Sequence, residues 1–270
     1  GWADVVLPES IYLERHDELN VEWFREPFVA IRQPVVDSPN DQKPNWWIAR
    51  SLAARLGLSN YYPWETIEEY LGWRIEAAGM DFEQLKAKGL IKGPRQPIFF
   101  DEGLAPEFYT PSGKIEFYSP QLEQAGFDPV PRYTPPDSGP AGSFRLLYGR
   151  SPVHSFSRTQ SNPVLMDAVS ENEVWINHRV ADQYGLRSGD RVRLRNQDGV
   201  LSNPIKVKAT RRIRPECVYM VHGFGHTSKG LRRAFGKGAS DAGLMTAYRT
   251  DPLMGGTAMN MNFIWLELET

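Results

Sequence analysis

The sequence has a single cysteine, Cys217, so no disulfide can form within the chain. Cysteine usage therefore does not decide between an oxidising and a reducing compartment. No apolar stretch approaches the roughly 18 residues that a membrane-spanning helix needs, and the first residues do not form a signal-peptide pattern. The chain also begins without Met, inside what looks like a strand, so we expect it to be part of a longer protein.

An excess of charge of one sign is also lacking. The 31 Lys and Arg residues nearly balance the 33 Asp and Glu residues, and the basic ones are scattered rather than gathered into a stripe. Nucleic-acid binding is therefore not expected. The hydrophobic fraction of 41% and the charged fraction of 24% are typical of a globular protein. A chain of 270 residues is long enough for one large or two medium domains.

Several common active-site motifs are absent as well. No Gly-x-Ser-x-Gly sequence occurs, so a serine hydrolase has no support. Lys114 follows Ser and Gly but lacks the glycine spacing of a phosphate loop. His222 and His226 have a spacing that zinc sites use, but two further ligands are missing, so a structural zinc is not expected.

The first half of the chain predicts short elements of both kinds. We expect a strand at 3–7, irregular structure at 21–44, and a turn leading into a strand at 110–117. Apolar residues at helical spacing predict helices at 45–56, capped by Asn45, at 66–75, and at 81–88, capped by Asp81. The segment 134–140, rich in Pro and Gly, is a linker by composition, so we place a domain boundary there.

The second half is predicted to be mainly β. Strands are expected at 143–148, 173–176, 191–195, 200–209 and 217–221, with a closing strand near the C-terminus and a helix at 178–184. Asp198-Gly199 predicts a type I′ hairpin turn. This order of elements is typical of a double-psi β-barrel, in which ligands bind at the rim loops. Lys229, Arg232, Arg233 and Lys237 form a basic run, either a solvated helix face or a docking surface for a partner subunit.

The stretch Phe144–Met166 carries the main functional signal. A buried strand is followed directly by a polar segment containing two Arg, a His and several hydroxyl residues. Arg offers planar, forked donors that suit phosphate, and hydroxyl and backbone N–H groups can complete a phosphate cradle. The alternative is a polar surface loop that ends in a helix cap at Ser161 or Asn162.

Four segments in order, Phe144–Met166, Glu173–Gly199, Cys217–His226 and Asp251–Asn260, resemble the C-terminal cofactor-binding domain of the molybdopterin oxidoreductases, the dimethyl sulfoxide reductase family. Within the family they are most similar to catalytic subunits of polysulfide and thiosulfate reductases. The resemblance implies an α/β segment over 1–140, from the end of the preceding dinucleotide-binding and substrate-funnel domains. It implies a molybdopterin-dinucleotide-binding double-psi β-barrel, of the aspartate-decarboxylase type, over 141–270.

The resemblance implies two pyranopterin guanine dinucleotides around molybdenum or tungsten, with the metal ligand and an iron–sulfur cluster in parts of the protein that precede this sequence. We therefore expect no metal ligand and no catalytic residue here, and we reject Cys217 as a molybdenum thiolate. The implied cofactor-binding residues are Arg150, Ser151, His154, Ser155, Phe156, Arg158, Thr159, Asn177, His222, Gly223 and Asn260. Arg150, Arg158 and Thr159 are assigned to phosphate and ribose, and His154, Ser155 and Phe156 to pterin or guanine. One departure is the segment 241–246, where many relatives are rich in Asn.

The implied activity of the whole enzyme is the two-electron reduction of polysulfide or thiosulfate. The implied partners are the rest of the catalytic subunit, a ferredoxin-like iron–sulfur subunit and a membrane anchor subunit; the implied location is the periplasmic face of the bacterial membrane, with the cytoplasm as alternative. Another family member (formate dehydrogenase, arsenate reductase or tetrathionate reductase) remains open. So does a metal-free structural or electron-transfer scaffold. A bare double-psi barrel of the decarboxylase or transcription-regulator type is the third alternative.

Overall fold

A computed structural model describes residues 3–97 and 103–268. The chain divides into two compact units, Gly1–Pro131 and Arg132–Thr270. The predicted linker, 134–140, contains no helix or strand and lies at the start of the second unit. The assignment of 1–140 and 141–270 to particular domains of the family stays a prediction. In the described ranges, no helix has both the length and the apolar content needed to cross a membrane.

The first unit contains the three predicted helices and a small sheet. Its helices are α1 Asn45–Arg55, α2 Ile67–Ala77, α3 Phe82–Lys88 and α4 Pro120–Gln124, and its strands are β1 Asn20–Glu22, β2 Phe28–Ala30 and β3 Leu90–Lys92. The strands form an antiparallel sheet in the order β1-β2-β3. Because β1 and β2 lie largely within 21–44, the prediction of irregular structure there was wrong in part.

Local capping explains where two of these helices begin. The Thr66 hydroxyl accepts the N–H of Glu69 at the start of α2, and the Asp81 carboxylate accepts the N–H of Gln84 at the start of α3. Both satisfy backbone donors that a helix leaves unpaired. Asn45 is the first residue of α1 rather than its cap, because Pro44 occupies the cap position.

Two predicted strands of the first unit are not formed. Residues 3–7 contain no strand, and Val5 and Val6 are 74% and 78% exposed. The turn at 110–117 forms, with Gly113 in the left-handed region, but no strand follows it and Ile115 is 64% exposed. A strand needs a ladder partner to satisfy its backbone, and neither apolar run has one within the described part of the chain.

The second unit is a closed barrel of six strands. They are β4 Phe144–Gly149, β5 Glu173–Asn177, β6 Arg191–Asn196, β7 Ile205–Thr210, β8 Cys217–Val221 and β11 Phe263–Leu268, with a separate two-stranded ladder of β9 Arg249–Thr250 and β10 Thr257–Ala258. The barrel order is β11-β4-β8-β5-β7-β6. Strands β4 and β8 are parallel, as are β5 and β7, and the other neighbours are antiparallel. The predicted mainly β barrel is confirmed.

Between the strands lie α5 Pro163–Ala168, α6 His178–Gln183 and a short 3₁₀ turn, Ala242–Leu244. The strand predicted at 200–209 begins only at Ile205, since Pro204 has no N–H to donate to a ladder. The turn at Asp198-Gly199 forms, but it is not type I′. That type needs a positive φ at both central residues, and Phe156 is the one non-glycine residue with positive φ in the described ranges.

Barrel closure depends on strand β11, whose Ile264 is fully buried and pairs with both Phe144 and Asn196. We expect Ile264→Val to lower the free energy of unfolding by about 0.5–1.5 kcal/mol, because one buried methylene is removed. Urea denaturation measures this. The control is Val164→Ala, a larger deletion at a side chain that is 73% exposed in the same unit, for which we expect a change within about 0.5 kcal/mol. Equal losses in both variants would contradict the role of Ile264 in the core.

Candidate functional site

The loops that follow β4 and β8 emerge together at one end of the barrel. The two strands are parallel neighbours, and their last residues, Gly149 and Val221, are paired. The register continues one step further, where the N–H of His222 donates to the carbonyl of Gly149 at 2.8 Å. The polar loop 150–162 therefore lies beside the segment that begins at His222. Rim loops are where a filled barrel offers space to a ligand.

The first loop is shaped by its own polar side chains. The Ser151 hydroxyl accepts the backbone N–H groups two and three positions later. His154 is only 4% exposed; its Nε2 donates to the carbonyl of Val169 at 2.7 Å, and its Nδ1 lies 3.1 Å from the Thr159 hydroxyl. That hydroxyl also accepts the N–H of Ser155 at 3.0 Å. Ser151, His154 and Thr159 thus use their polar atoms to fold the loop.

The cations of the loop face outward. The Arg150 guanidinium lies over the Phe156 ring, 4.9 Å from its centroid. The His222 ring makes a T-shaped contact with the same ring, with 5.6 Å between the centroids. Arg150 and Arg158 are both exposed, and within the described ranges neither forms an ion pair with a carboxylate. Exposed guanidinium groups without a carboxylate partner are suited to bind an anionic ligand.

Two glycines hold the second loop in place. Gly223 has a φ of 98°, and a Cβ there would lie 2.2 Å from the carbonyl oxygen of Phe156. Gly225 has a φ of 78°, and a Cβ there would lie 2.3 Å from the backbone N of Ser240. Both positions need glycine, for the left-handed backbone and for the close approach. At both positions the close neighbour is protein backbone.

The sequence did not identify the residue that binds His222. Its Nδ1 lies 2.7 Å from Oδ2 of Asp241, and the Asp241 residue is 1% exposed. Asp241 is the first residue of the segment 241–246, and its sequence context does not mark it as a partner of a histidine. No local pattern links the two residues, because they are 19 positions apart in the chain and only the fold brings them together.

A cleft of about 360 Å³ lies between these segments, and its lining includes Ser157, His222, Gly223, Gly225, His226 and Ser240. The buried Nε2 of His226 has no hydrogen-bond partner in the described part of the chain, and the same holds for the buried Oε1 of Gln160. A buried polar atom without a partner is uncommon and costs free energy. Together with Arg150 and Arg158, the two histidines that line the cleft fit an anionic group that carries a polar heterocycle.

Asn177 does not lie with the other predicted residues. Asn177 ends β5, which runs antiparallel to β8, so strand direction places it at the opposite end of the barrel. Its side chain accepts the N–H of Arg179, capping α6, and donates to the carbonyl of Ile213 at 2.7 Å. Asn260 precedes β11, and because β11 is antiparallel to β4, the start of β11 lies toward the last residues of β4. The Asn260 carbonyl accepts from the Arg145 guanidinium.

The basic run is a loop and not a helix. An isolated bridge pairs His226 with Phe235, and no helix lies between them. The prediction of a solvated helix face was therefore wrong. Gly residues in the run explain the difference, because glycine disfavours a helix interior. The four cations, Lys229, Arg232, Arg233 and Lys237, are exposed on this loop.

Cys217 begins β8 and is buried, at 9% exposure. Within the described ranges, no group of three or more His, Cys, Asp or Glu residues is arranged to hold a metal ion. Burial raises the pKa of the Cys217 thiol, and the neighbouring carboxylate of Glu216 raises it further. Since the thiolate is the reactive form, this environment lowers the reactivity of the thiol at neutral pH.

We expect iodoacetamide at neutral pH to alkylate Cys217 at least about tenfold more slowly in the folded chain than in the urea-unfolded chain. A raised pKa lowers the thiolate fraction at any given pH, so the folded-state rate should keep rising with pH where an ordinary thiol, with a pKa of about 8.5, has levelled off. Mass spectrometry of timed samples gives both rates. Equal rates in the two states would show that the thiol is not protected.

Comparison with protein-family models matches residues 144–263 to the molydopterin dinucleotide binding domain and residues 2–55 to molybdopterin oxidoreductase. The first range begins with β4 and ends at the first residue of β11, so it includes both loops and the cleft between them. The part of the chain with the unpaired cations is therefore the part that matches a nucleotide-binding domain.

Curated relatives agree with this match. The chain is 29% identical over 279 residues to the molybdopterin-containing subunit of thiosulfate reductase from Salmonella typhimurium, covering 94% of this chain and 36% of that protein. It is 30% identical over 213 residues to acetylene hydratase from Syntrophotalea acetylenica, covering 76% and 29%. A probable dimethyl sulfoxide reductase chain from Escherichia coli is 28% identical over 304 residues, covering 98% and 37%.

Among solved structures, acetylene hydratase from Pelobacter acetylenicus is similar with a TM-score of 0.72 and 23% identity, covering 97% of this chain and 38% of that one. At this identity the likeness concerns the fold alone. The chain spans about a third of the length of the relatives that it matches.

Proposed function

Since this chain belongs to the molybdopterin oxidoreductases of the dimethyl sulfoxide reductase family, with residues 144–263 as their dinucleotide-binding domain, we propose that the barrel end formed by the loops after β4 and β8 binds the guanine dinucleotide of the cofactor. One observation carries the proposal. Arg150 and Arg158 are exposed beside the cleft and have no carboxylate partner in the described ranges. A pyrophosphate supplies the anionic oxygens that two such forked donors bind best.

The residues take different parts in this binding. Arg150 and Arg158 bind phosphate oxygens, and the rings of His222 and His226, which line the cleft, form hydrogen bonds with the heterocycles. Ser151, His154 and Thr159 shape the loop that presents the cations, and Phe156 supports the Arg150 guanidinium. The cofactor, when bound, supplies two-electron chemistry at its metal, and this chain supplies binding and orientation.

For the whole protein we propose the two-electron reductive cleavage of an S–S bond in thiosulfate or polysulfide. The match to a thiosulfate reductase subunit along 94% of this chain supports it. The proposal includes molybdenum or tungsten as the metal, a metal ligand and an iron–sulfur cluster outside this sequence, and electron exchange with a ferredoxin-like subunit. It places the protein at the extracytoplasmic face of a bacterial membrane.

A second candidate activity is hydration, because an acetylene hydratase is 30% identical over 76% of this chain. The cofactor-binding role of the barrel would be unchanged, since both activities are found in relatives that match the same residues. The two candidates differ in whether the reaction consumes electrons. Substrate assays therefore distinguish them where this part of the sequence does not.

The test uses the intact protein purified anaerobically from its host. We expect molybdenum or tungsten by mass spectrometry, with about two GMP equivalents released by acid per metal atom. Oxidation of a reduced viologen dye by thiosulfate or polysulfide would support the reductase, whereas conversion of acetylene without electron consumption would support the hydratase. A folded protein without metal and without GMP would overturn the proposal and favour a structural scaffold.

A further inference from the structure

The pair formed by His222 and Asp241 has a defined proton position. A carboxylate oxygen can only accept a hydrogen bond, so the 2.7 Å contact requires the proton on Nδ1 of His222. The Asp241 residue is 1% exposed, whereas the His222 side chain keeps 30% of its exposure and lines the cleft. Its other nitrogen, Nε2, has no hydrogen-bond partner in the part of the chain that the structure describes.

The buried side-chain amide of Asn172 connects the two backbone segments that carry His222 and Asp241. Asn172 is 2% exposed, and its Nδ2 donates to the carbonyls of Val221 at 2.8 Å and Ala239 at 2.9 Å. Its Oδ1 accepts the N–H of Ala239 at 2.9 Å. Val221 immediately precedes His222, and Ala239 lies two positions before Asp241. The same side chain therefore holds the backbone on both sides of the pair.

The His222 ring is also held from its other side. The Phe156 ring meets it edge to face, with an interplanar angle of 79° and 5.6 Å between centroids. The Asp241 backbone is fixed as well, since its carbonyl accepts the N–H of Leu244 at 2.9 Å. A ring held by a buried carboxylate and by a T-shaped aromatic contact keeps one orientation, so its two nitrogens do not exchange places.

We propose that Asp241 is a positioning residue that keeps the neutral His222 ring in its Nδ1–H form, so that Nε2 faces the cleft as a hydrogen-bond acceptor. An acceptor there selects an N–H group and not a phosphate, which has no hydrogen to donate at neutral pH. Guanine and pterin both carry ring and exocyclic N–H groups. The ligand part of this inference rests on the proposed function, whereas the tautomer is a property of the chain itself.

The first test needs no cofactor. Long-range ¹H–¹⁵N spectra of the histidine rings in the ¹⁵N-labelled chain, recorded through a pH titration, report which nitrogen of His222 carries the proton. We expect the Nδ1–H form for the neutral ring in the wild-type chain and loss of that single form in Asp241→Asn. The control is Asp182→Asn, an exposed carboxylate in α6. A neutral wild-type ring in the Nε2–H form would overturn the inference, whatever the fate of the variant.

The second test separates the positioning role from cofactor binding. The intact protein is prepared with Asp241→Asn or Asp182→Asn, and GMP per chain is measured after acid release. We expect about two- to tenfold lower GMP content in the first variant only, the effect of one misdirected hydrogen bond. If the wild-type ring has the Nδ1–H form but the GMP content of Asp241→Asn is undiminished, the ligand part of the inference is overturned. Absence of GMP from the wild-type protein would instead overturn the proposed function and leave the tautomer result standing.

Discussion

Replacing Arg150 and Arg158 together by Gln is expected to weaken binding of the guanine dinucleotide by about 100-fold or more. A hydrogen bond to a charged group contributes about 1.5–3 kcal/mol, so two lost contacts amount to at least about 3 kcal/mol. Both guanidinium groups are exposed, and Arg150 stacks on Phe156 without a carboxylate partner in the described ranges. Gln keeps a polar side chain but removes the charge and the forked donor.

The matched control is Arg179→Gln with Arg212→Gln. These two arginines are also exposed, and they follow the C-terminal ends of β5 and β7, at the opposite end of the barrel. The control therefore changes net charge by the same amount. GMP per chain measures the outcome in the intact protein, and urea denaturation checks that both double variants keep their stability. Equal GMP content in the wild type and in both double variants would show that Arg150 and Arg158 do not bind the cofactor.

Gly223→Ala is expected to lower the free energy of unfolding by about 2–5 kcal/mol. A left-handed backbone costs a residue with a Cβ about 1–2 kcal/mol. The Cβ would also lie 2.2 Å from the Phe156 carbonyl oxygen, and relieving such a contact adds about 1–3 kcal/mol. Because Phe156 already has a φ of 51°, the loop has little freedom to move away at low cost.

Gly199→Ala is the matched control for this variant. Gly199 has a φ of 82°, and no atom lies within 4 Å of a Cβ built there. Gly199→Ala therefore has the cost of the left-handed backbone but not that of a close contact. We expect its free energy of unfolding to fall by about 1–2 kcal/mol. Urea denaturation compares the two stabilities. If both variants lose the same stability, the loops after β4 and β8 are not packed as described.

Gly223→Ala and Gly199→Ala also test whether the packing of the two loops affects cofactor binding. Relief of the Gly223→Ala contact has to shift the peptide between Phe156 and Ser157, and Arg150 rests on the Phe156 ring. We therefore expect GMP content to fall in Gly223→Ala and to stay unchanged in Gly199→Ala. Unchanged GMP in Gly223→Ala would mean that Arg150 binds phosphate independently of Phe156.

Residues that are close together in the chain predicted many of the individual helices and strands. Alternating apolar residues predicted β6, where Val192 and Leu194 are fully buried, and the cap at Asp81 predicted the start of α3. The same reasoning failed at 3–7, where an apolar run forms no strand. An apolar pattern shows that a segment could join a sheet, whereas pairing depends on a partner elsewhere in the chain.

The sequence by itself determined the barrel strands, the polar loop after β4 and the two cations in it, because each depends on residues close together in the chain. Only the tertiary structure decided that His222 meets Asp241, that Asn172 supports both, and that Asn177 lies at the far end. Asn172 reaches a partner 67 positions away. Contacts of this kind follow from strand direction and register, and no short stretch of sequence encodes those.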